Sequence, residues 1–250
     1  MPMSTESFKP IPVRRPSANP IGFSLRQMVD LQLMTIVRHL RPAMRDLRGS
    51  VLDVGAGEAP WRDWLPPGTS YQGVDIEAAD DFGMVRADDI TYYDGKVIPF
   101  PGGTFDNALC IEVLEHADDP QRLLTEIARC VRPGGTLLLT VPWSARRHHI
   151  PHDFHRFTRE RLGRLLSEGG FVDVNIKERG SDISTIASKL VIMSLRIAPG
   201  LSWRRLLSLP LFIAAAPITG AFIVAAHIAE RAGLGAKEDP LGYFVKAVKP

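Results

Sequence analysis

Cysteine is scarce, with only Cys110 and Cys130 in 250 residues. Neither sits in a metal-type pair; one lies in an apolar run and the other in an amphipathic one, so both read as small buried thiols of a reducing compartment. A charge of one sign is also missing. Thirty basic residues against 28 acidic ones leave a net charge of +2, a balance that does not suggest a nucleic-acid binder. Residues 1–20 carry Pro2, Pro10, Pro12, Pro16 and Pro20 but no apolar core. They read as a disordered tail and not as a secretory signal. Internal repeats are absent as well. The length suits one domain plus appendages.

What is present begins at 21–48, where Leu25, Met28, Val29, Leu33, Ile36, Val37 and Leu40 recur at helical intervals. Pro42 is expected to break or restart that helix, and Gly49 to end it. Short apolar runs then follow at 51–54, 71–75, 83–86, 106–111, 136–141 and 171–178 and read as strands. The clearest helices between them are 119–131 and 158–168, the second opened by Thr158 as N-cap. Continuous apolar strands separated by helices predict a parallel sheet covered on both faces. A last alternating run, 243–248, reads as one more strand.

Chemistry concentrates at the ends of these strands. Asp53, Val54, Gly55, Ala56 and Gly57 form a strand-to-turn junction with glycines two apart, which lets backbone approach a ligand. In open α/β sheets such a turn lies at the carboxyl edge, where ligands bind. The dinucleotide version would want a third glycine where Pro60 stands, and Asp53 also argues against it. An NAD-dependent oxidoreductase is therefore disfavoured. Asp75 ends the second strand, roughly 20 residues past the glycines, where a carboxylate can hold both ribose hydroxyls of an adenosine moiety. Asp88, Asp89 and Ile90 are expected to follow the third strand, within reach of an adenine amino group.

Taken in order, 52–57, 73–75, 99–106, 112–116 and 132–135 resemble class I S-adenosylmethionine-dependent methyltransferases of the broad type 11 group. The likeness runs from about residue 50 to 179. The segment from Pro151 to Thr158, a PHDF-x-RFT pattern, resembles one bacterial subgroup in which this loop caps the substrate side. The resemblance implies a Rossmann-like, seven-stranded, mostly parallel sheet with helices on both faces and an antiparallel last strand. It implies S-adenosylmethionine as cofactor, with Asp53, Gly55, Ala56 and Gly57 around its methionine end. Asp75 would hold the ribose, Ile76 and Asp88 would flank the adenine, and Asp89 and Glu112 complete the set. The sequence departs from the pattern at Ala59, where a further glycine is usual. Pro60, Pro66 and Pro67 leave room only for a short helix around 61–65.

A sulfonium methyl is already electrophilic, so the protein must align an acceptor, exclude water and sometimes remove a proton. His116, His149 and His152 are the candidate catalytic residues, since imidazole titrates near neutrality; hydrogen bonding to loop backbone is their structural alternative. Asp153 could orient one of them or cap a turn. His148, His149, His152 and His155 also cluster in sequence, but Arg146, Arg147 and Arg156 beside them would oppose a cation, and no metal is assigned. Those arginines could equally favour an acidic substrate or form a solvated rim.

The stretch 206–229 is apolar throughout and holds no Asp, Glu, Lys or Arg. Pro210 and Pro217 interrupt it, so two short helices hinged near Pro217 are expected, each too short to span a membrane. A true span would also carry 243–248 away from its sheet. The division expected is a tail at 1–20, a helical segment at 21–48, the cofactor-binding core at 49–180, an apolar insertion at 181–240 and the final strand at 241–250. The insertion would serve as a lid, a homodimer interface or a peripheral membrane contact through 201–230, with Trp203, Arg204 and Arg205 as an interfacial anchor. The function expected is methyl transfer to a small or lipid-linked acceptor, through oxygen. The location expected is the cytoplasm, peripheral to the inner face of the membrane. A SAM-binding, non-catalytic partner domain is the alternative.

Overall fold

The computed structural model describes residues 10–82, 84–198 and 207–250. Seven strands form one sheet: β1 (Ser50–Val54), β2 (Ser70–Ile76), β3 (Ile90–Tyr93), β4 (Phe105–Ile111), β5 (Val131–Pro142), β6 (Val172–Arg179) and β7 (Gly242–Val248), in the spatial order β3-β2-β1-β4-β5-β7-β6. β1 to β5 pair in parallel, and β7 runs antiparallel to both β5 and β6. Chain direction reverses its spread at β1, with β2 on one side and β4 on the other. That switch point is where an open α/β sheet leaves a crevice.

Alternation along the strands explains why the apolar runs are continuous. Leu52 and Val54 of β1, Cys110 of β4 and Leu137 and Leu139 of β5 face one core, shared with Leu124, Ile127, Leu162 and Leu165. The last four come from α3 (Pro120–Cys130) and α4 (Arg159–Glu168). Val51, Leu109 and Leu138 face the other side, against Leu33, Ile36, Leu40 and Met44 of α2 (Leu31–Met44). Period-2 side chains therefore meet helices on both faces. Thr158 caps α4 as expected, accepting from the Arg161 amide at 3.2 Å. Cys110 and Cys130 are buried thiols.

The N-terminal helix breaks earlier than Pro42. α1 (Pro20–Val29) stops at Asp30, whose carboxylate accepts from the Leu33 amide at 3.1 Å and so starts α2. Pro42 falls in the last turn of α2, and the helix ends two residues beyond it. Residues 10–19, expected within the tail, are tied down: Arg26 donates to the carbonyls of Ile11 and Pro12, both at 2.8 Å, and the Ser17 amide donates to Asp63 at 2.8 Å. Residues 1–9 lie outside the described residues, as do Trp203, Arg204 and Arg205.

The insertion also differs from expectation. Among the described residues α5 (Asp182–Ile197) is followed by one helix, α6 (Leu209–Ala232), which runs through Pro217 where two helices hinged there were expected. Pro217 sits on the exposed side, while Ala215 and Thr219 keep the opposite side against the protein. Its lost backbone bond therefore faces outward. α5 and α6 run antiparallel, pinned by Ser184 Oγ donating to Glu230 at 2.7 Å and by a 2.8 Å hydroxyl pair between Ser194 and Thr219. Thr219→Val should leave the buried Ser194 hydroxyl without its partner and cost about 1–3 kcal/mol in urea unfolding. Adding Ser194→Ala should recover most of that loss, and a double variant as unstable as the sum of the singles would show that the pair does not couple the helices.

Candidate functional site

The site is built at the carboxyl edge of β1, β2, β4 and β5. After β1 the chain turns through Gly55 and Gly57, at φ +70° and +53°. Gly55 cannot be replaced without strain, because a Cβ there would come within 2.3 Å of Val113 in the loop after β4. The turn thus closes directly on the switch point. Ala59 takes φ +52° and is buried, so the position where the family pattern has glycine keeps a left-handed backbone despite its methyl group.

Two carboxylates organise this turn. Asp75, near the end of β2, accepts from the Gly57 amide through Oδ2 and from the Ile76 amide through Oδ1, both at 2.8 Å. A carboxylate has about four lone-pair directions, so two remain for a ligand. Asp53 is 1% exposed and accepts from the Tyr71 hydroxyl at 2.8 Å. Burial raises its pKa from 3.8 to about 7, the Tyr71 hydrogen bond opposes that rise, and the nearby Asp75 adds to it. Burial also raises Asp75, against the two amide bonds.

Glu112 follows β4 at φ +56° and receives a 2.7 Å bond from Nη2 of Arg179. Arg179, at the end of β6, is wholly buried and also donates to the carbonyls of Tyr243, Val141 and Gln32 and to the Thr35 hydroxyl. Sequence reasoning missed it. Its only signal was an arginine ending an edge strand, indistinguishable there from a solvated one.

The loop after β5 folds back over the loop after β4. The Phe154 and His155 amides both donate to the Glu115 carbonyl, at 3.0 and 3.2 Å. Nδ1 of His116 lies 2.6 Å from the His152 carbonyl, which makes it the protonated nitrogen. The rings of His116, His148 and His149 gather with centroids 4.8–5.3 Å apart. His152 instead turns its ring toward Phe154 and joins the cluster through its backbone. Burial, chiefly, and the neighbouring His148 lower the His116 pKa to about 4. Glu115 is fully buried beside it, and burial and then Glu112 push its carboxyl well above the ordinary value. Asp153 orients the loop: it accepts two bonds from Arg156, at 2.6 and 2.9 Å, and one from the His148 amide at 3.0 Å. The Arg156 guanidinium is thereby committed to Asp153, while Arg147 points outward.

Of the expected cofactor residues, Asp53, Gly55, Ala56, Gly57, Asp75 and Ile76 converge, and Glu112 lies across the switch point from them. Asp88 and Asp89 do not occupy the place expected. The third strand is Ile90–Tyr93, later than 83–86, so both acids precede it; residue 83 lies outside the described residues. Both are exposed, and Asp89 is ion-paired with Arg62 and Arg15. The acid at the carboxyl end of β3 is Asp94, next to Tyr93. Alternating Thr91 and Tyr93 marked that strand, but the Val85 run looked more apolar. The helix expected around 61–65 is one short turn, Arg62–Trp64.

A glycine turn leaving β1 at the switch point, with an acid closing β2, defines a nucleoside-binding protein of the Rossmann-like class. The chain belongs to the methyltransferase-domain family, whose model matches residues 26–176. It is 33% identical over 98 residues to a ubiquinone biosynthesis O-methyltransferase of Coxiella burnetii, covering 36% of this chain and 42% of that protein. It is 31% identical over 133 residues to a fatty-acid O-methyltransferase of Mycolicibacterium smegmatis, covering 48% of each. The matches thus span less than half the length of these curated relatives. Among solved structures, a methyltransferase bound to the Trm112 activator of Haloferax volcanii superposes with TM-score 0.53 at 19% identity, over 94% of this chain and 96% of that one. A Haemonchus contortus phosphoethanolamine N-methyltransferase bound to S-adenosylmethionine superposes with TM-score 0.50 at 16% identity, over 88% of this chain and 52% of that one. That neighbour holds S-adenosylmethionine. The cradle fits it: no Cβ fills the approach at Gly55, Asp75 keeps lone pairs for two hydroxyls, and Asp53 offers a buried carboxylate to a cationic group.

The raised pKa of Asp53 has a definite sign. The unfolded chain releases this proton near pH 4 and the cofactor-free folded protein near pH 7, so stability present below pH 4 declines across pH 4 to 7. Asp53→Asn should be spared that decline, gaining on the native protein by on the order of 3 kcal/mol between pH 4 and 7.5. Parallel pH–stability curves for the two proteins would remove Asp53 from the buried position assigned to it.

Proposed function

We propose that this protein transfers the methyl group of S-adenosylmethionine to an oxygen of an apolar, lipid-linked acceptor taken from the cytoplasmic face of a membrane. The observation that carries the reading is the pairing of a nucleoside cradle with an exposed apolar helical face in one chain. In this reading Asp53, Gly55, Ala56 and Gly57 surround the amino-acid end of the cofactor, Asp75 holds its ribose, and Ile76 with Asp94 flanks the adenine. Asp94 replaces Asp88 because it is the acid that closes β3. Glu112, fixed by Arg179, borders the methionine end from across the switch point.

The cofactor supplies an activated methyl on a sulfonium. The chain's own work is to bind, orient and keep water out. The acceptor oxygen attacks in line, the new O–C bond forms as the S–C bond breaks, and the hydroxyl proton leaves to a base. His116, held near pKa 4 by burial, is a weak base at neutral pH. In this reading His149, whose ring stands beside His116 in the covering loop, takes the proton.

Support for an apolar acceptor comes from α6 and its neighbours. α6 is long and apolar enough to cross a membrane, with mean hydropathy 2.1 and only 17% of its most apolar window buried. Its Leu211, Ile213, Ile218, Val224 and Ile228 are exposed, as are Ile21, Leu25 and Met28 of α1. Exposed Arg38 of α2, Lys189 and Arg196 of α5 and Arg231 of α6 suit an anionic lipid surface. The C-terminal half of α6 is bolted to the protein through Glu230 and through His227, whose Nε2 lies 2.9 Å from the Met28 carbonyl. β7 must also return to the sheet. A surface contact satisfies both, and a span does not. The fatty-acid and ubiquinone relatives act, by name, on acceptors of this kind.

Asp75→Ala should weaken S-adenosylmethionine binding by about 1.5–3 kcal/mol in calorimetry, the scale of lost charge-assisted hydrogen bonds. An unchanged dissociation constant would move the ribose elsewhere. The native protein should float with vesicles containing phosphatidylglycerol and less with phosphatidylcholine alone, and Ile213→Ser with Ile218→Ser and Val224→Ser should abolish flotation. With methyl-labelled cofactor and membrane extract, label should enter an organic-extractable product. Absence of flotation together with water-soluble products would end the lipid reading, as would dimerisation that hides this face.

A further inference from the structure

Glu115 is fully buried, and neither of its carboxylate oxygens has a hydrogen-bond partner. Leaving a buried carboxylate unsatisfied is costly, and structures settle the cost by pairing it, protonating it or binding a cation. The guanidinium on the covering loop, Arg156, directs both terminal nitrogens elsewhere, to Asp153 and to the His155 and Arg146 carbonyls.

Imidazoles converge on the same point. Nε2 of His116 lies 3.6 Å from Oε1 of Glu115. One nitrogen of His116, one of His148 and one oxygen of Glu115 all fall within 4.8 Å of one another. The hydrogen bonds around them set the tautomers. Nδ1 of His116 donates to the His152 carbonyl, so Nε2 carries the lone pair that faces Glu115. Nδ1 of His148 lies 3.1 Å from the Arg146 carbonyl and 3.4 Å from Asp153, which leaves its Nε2 with the lone pair. A ligating histidine whose other nitrogen donates to a carbonyl or carboxylate is the usual outer arrangement of a metal site.

We propose that Glu115, His116 and His148 form a divalent-cation site at the carboxyl edge of β4 and β5. Two imidazoles and one carboxylate suit zinc, manganese or iron(II) better than calcium or magnesium, and three protein ligands leave open positions. Donors must stand about 2.0–2.2 Å from such an ion, so the group closes by roughly an ångström on binding. Glu115 and His116 hang from the β4 loop, which also places Glu112, and His148 from the loop over the acceptor side. An open coordination position there would take the acceptor oxygen, lower the pKa of its hydroxyl and ease proton loss to His149. This catalytic role rests on the acceptor reading above; the site itself does not.

Binding is therefore measured without turnover. Chelator-treated protein would be titrated with Zn²⁺ by calorimetry and with Co²⁺ by its visible absorption, in the presence and absence of S-adenosylmethionine. One ion per chain is expected, with affinity lowered at least tenfold in Glu115→Gln and in His148→Ala and unchanged in the distant His227→Ala. Unaltered S-adenosylmethionine affinity certifies that each variant is folded, and His148→Ala carries the test if the buried Glu115→Gln is not. No uptake by the native protein overturns the site, and so does uptake that His148→Ala and any folded Glu115→Gln leave unchanged. Uptake that behaves as expected while no apolar acceptor is methylated would reject the acceptor reading and keep the metal.

Discussion

A single buried guanidinium joins the parts of this protein that sequence keeps far apart. Arg179 ends β6, yet its donors reach carbonyls of α2, β5 and β7 and the carboxylate of Glu112. Arginine suits this task because its five donors spread in a rigid plane and its charge is not lost on burial. Removing it would strand several acceptors in the interior at once. The edge of the sheet, the N-terminal helix and the mouth of the site are thus held at a common distance. A loop that must carry Glu112 at positive φ has a fixed partner to lean on.

Much of the architecture was legible from short-range pattern. Both faces of β1, β4 and β5 are covered, so their runs of Leu, Val and Ala identified them without reference to anything distant. Asp53, Gly55, Gly57 and Asp75 were legible because each must sit where a strand ends. What failed was local competition. Val85 and its neighbours looked more apolar than Thr91, Tyr92 and Tyr93, yet the latter pair with β2, and the acids therefore fell on the wrong side of the strand. Pro42 and Pro217 were read as breaks, although helices keep them where the lost bond faces an end or the outside. The role of Asp30 as a cap needed only its own side chain and was overlooked beside the louder proline.

Around the covering loop the limit was of another kind. Four histidines in eight residues say that imidazole is abundant, not which ring faces which atom. Arg156 looked in sequence like a charge that would repel a cation; folded, it is consumed by Asp153 three residues away. The rings of His148 and His149 gather at His116, while His152 turns its ring toward Phe154 and offers His116 its carbonyl. Only three-dimensional hydrogen bonding decides such exchanges, since each residue offers both a ring and a backbone.

The place of β7 has a consequence for how the chain is made. It lies between β5 and β6, so β6 cannot join the sheet until residues 242–248 have left the ribosome. The greasy α6 is synthesised before them and emerges while the edge of the sheet is still open and its own docking surface incomplete. During translation there is an interval in which the inner side of that helix lacks its contact with Leu241, and the arrival of β7 ends it. Translation speed across residues 209–248 therefore sets how long the inner side of α6 stays uncovered, while its outer side remains exposed in the folded protein.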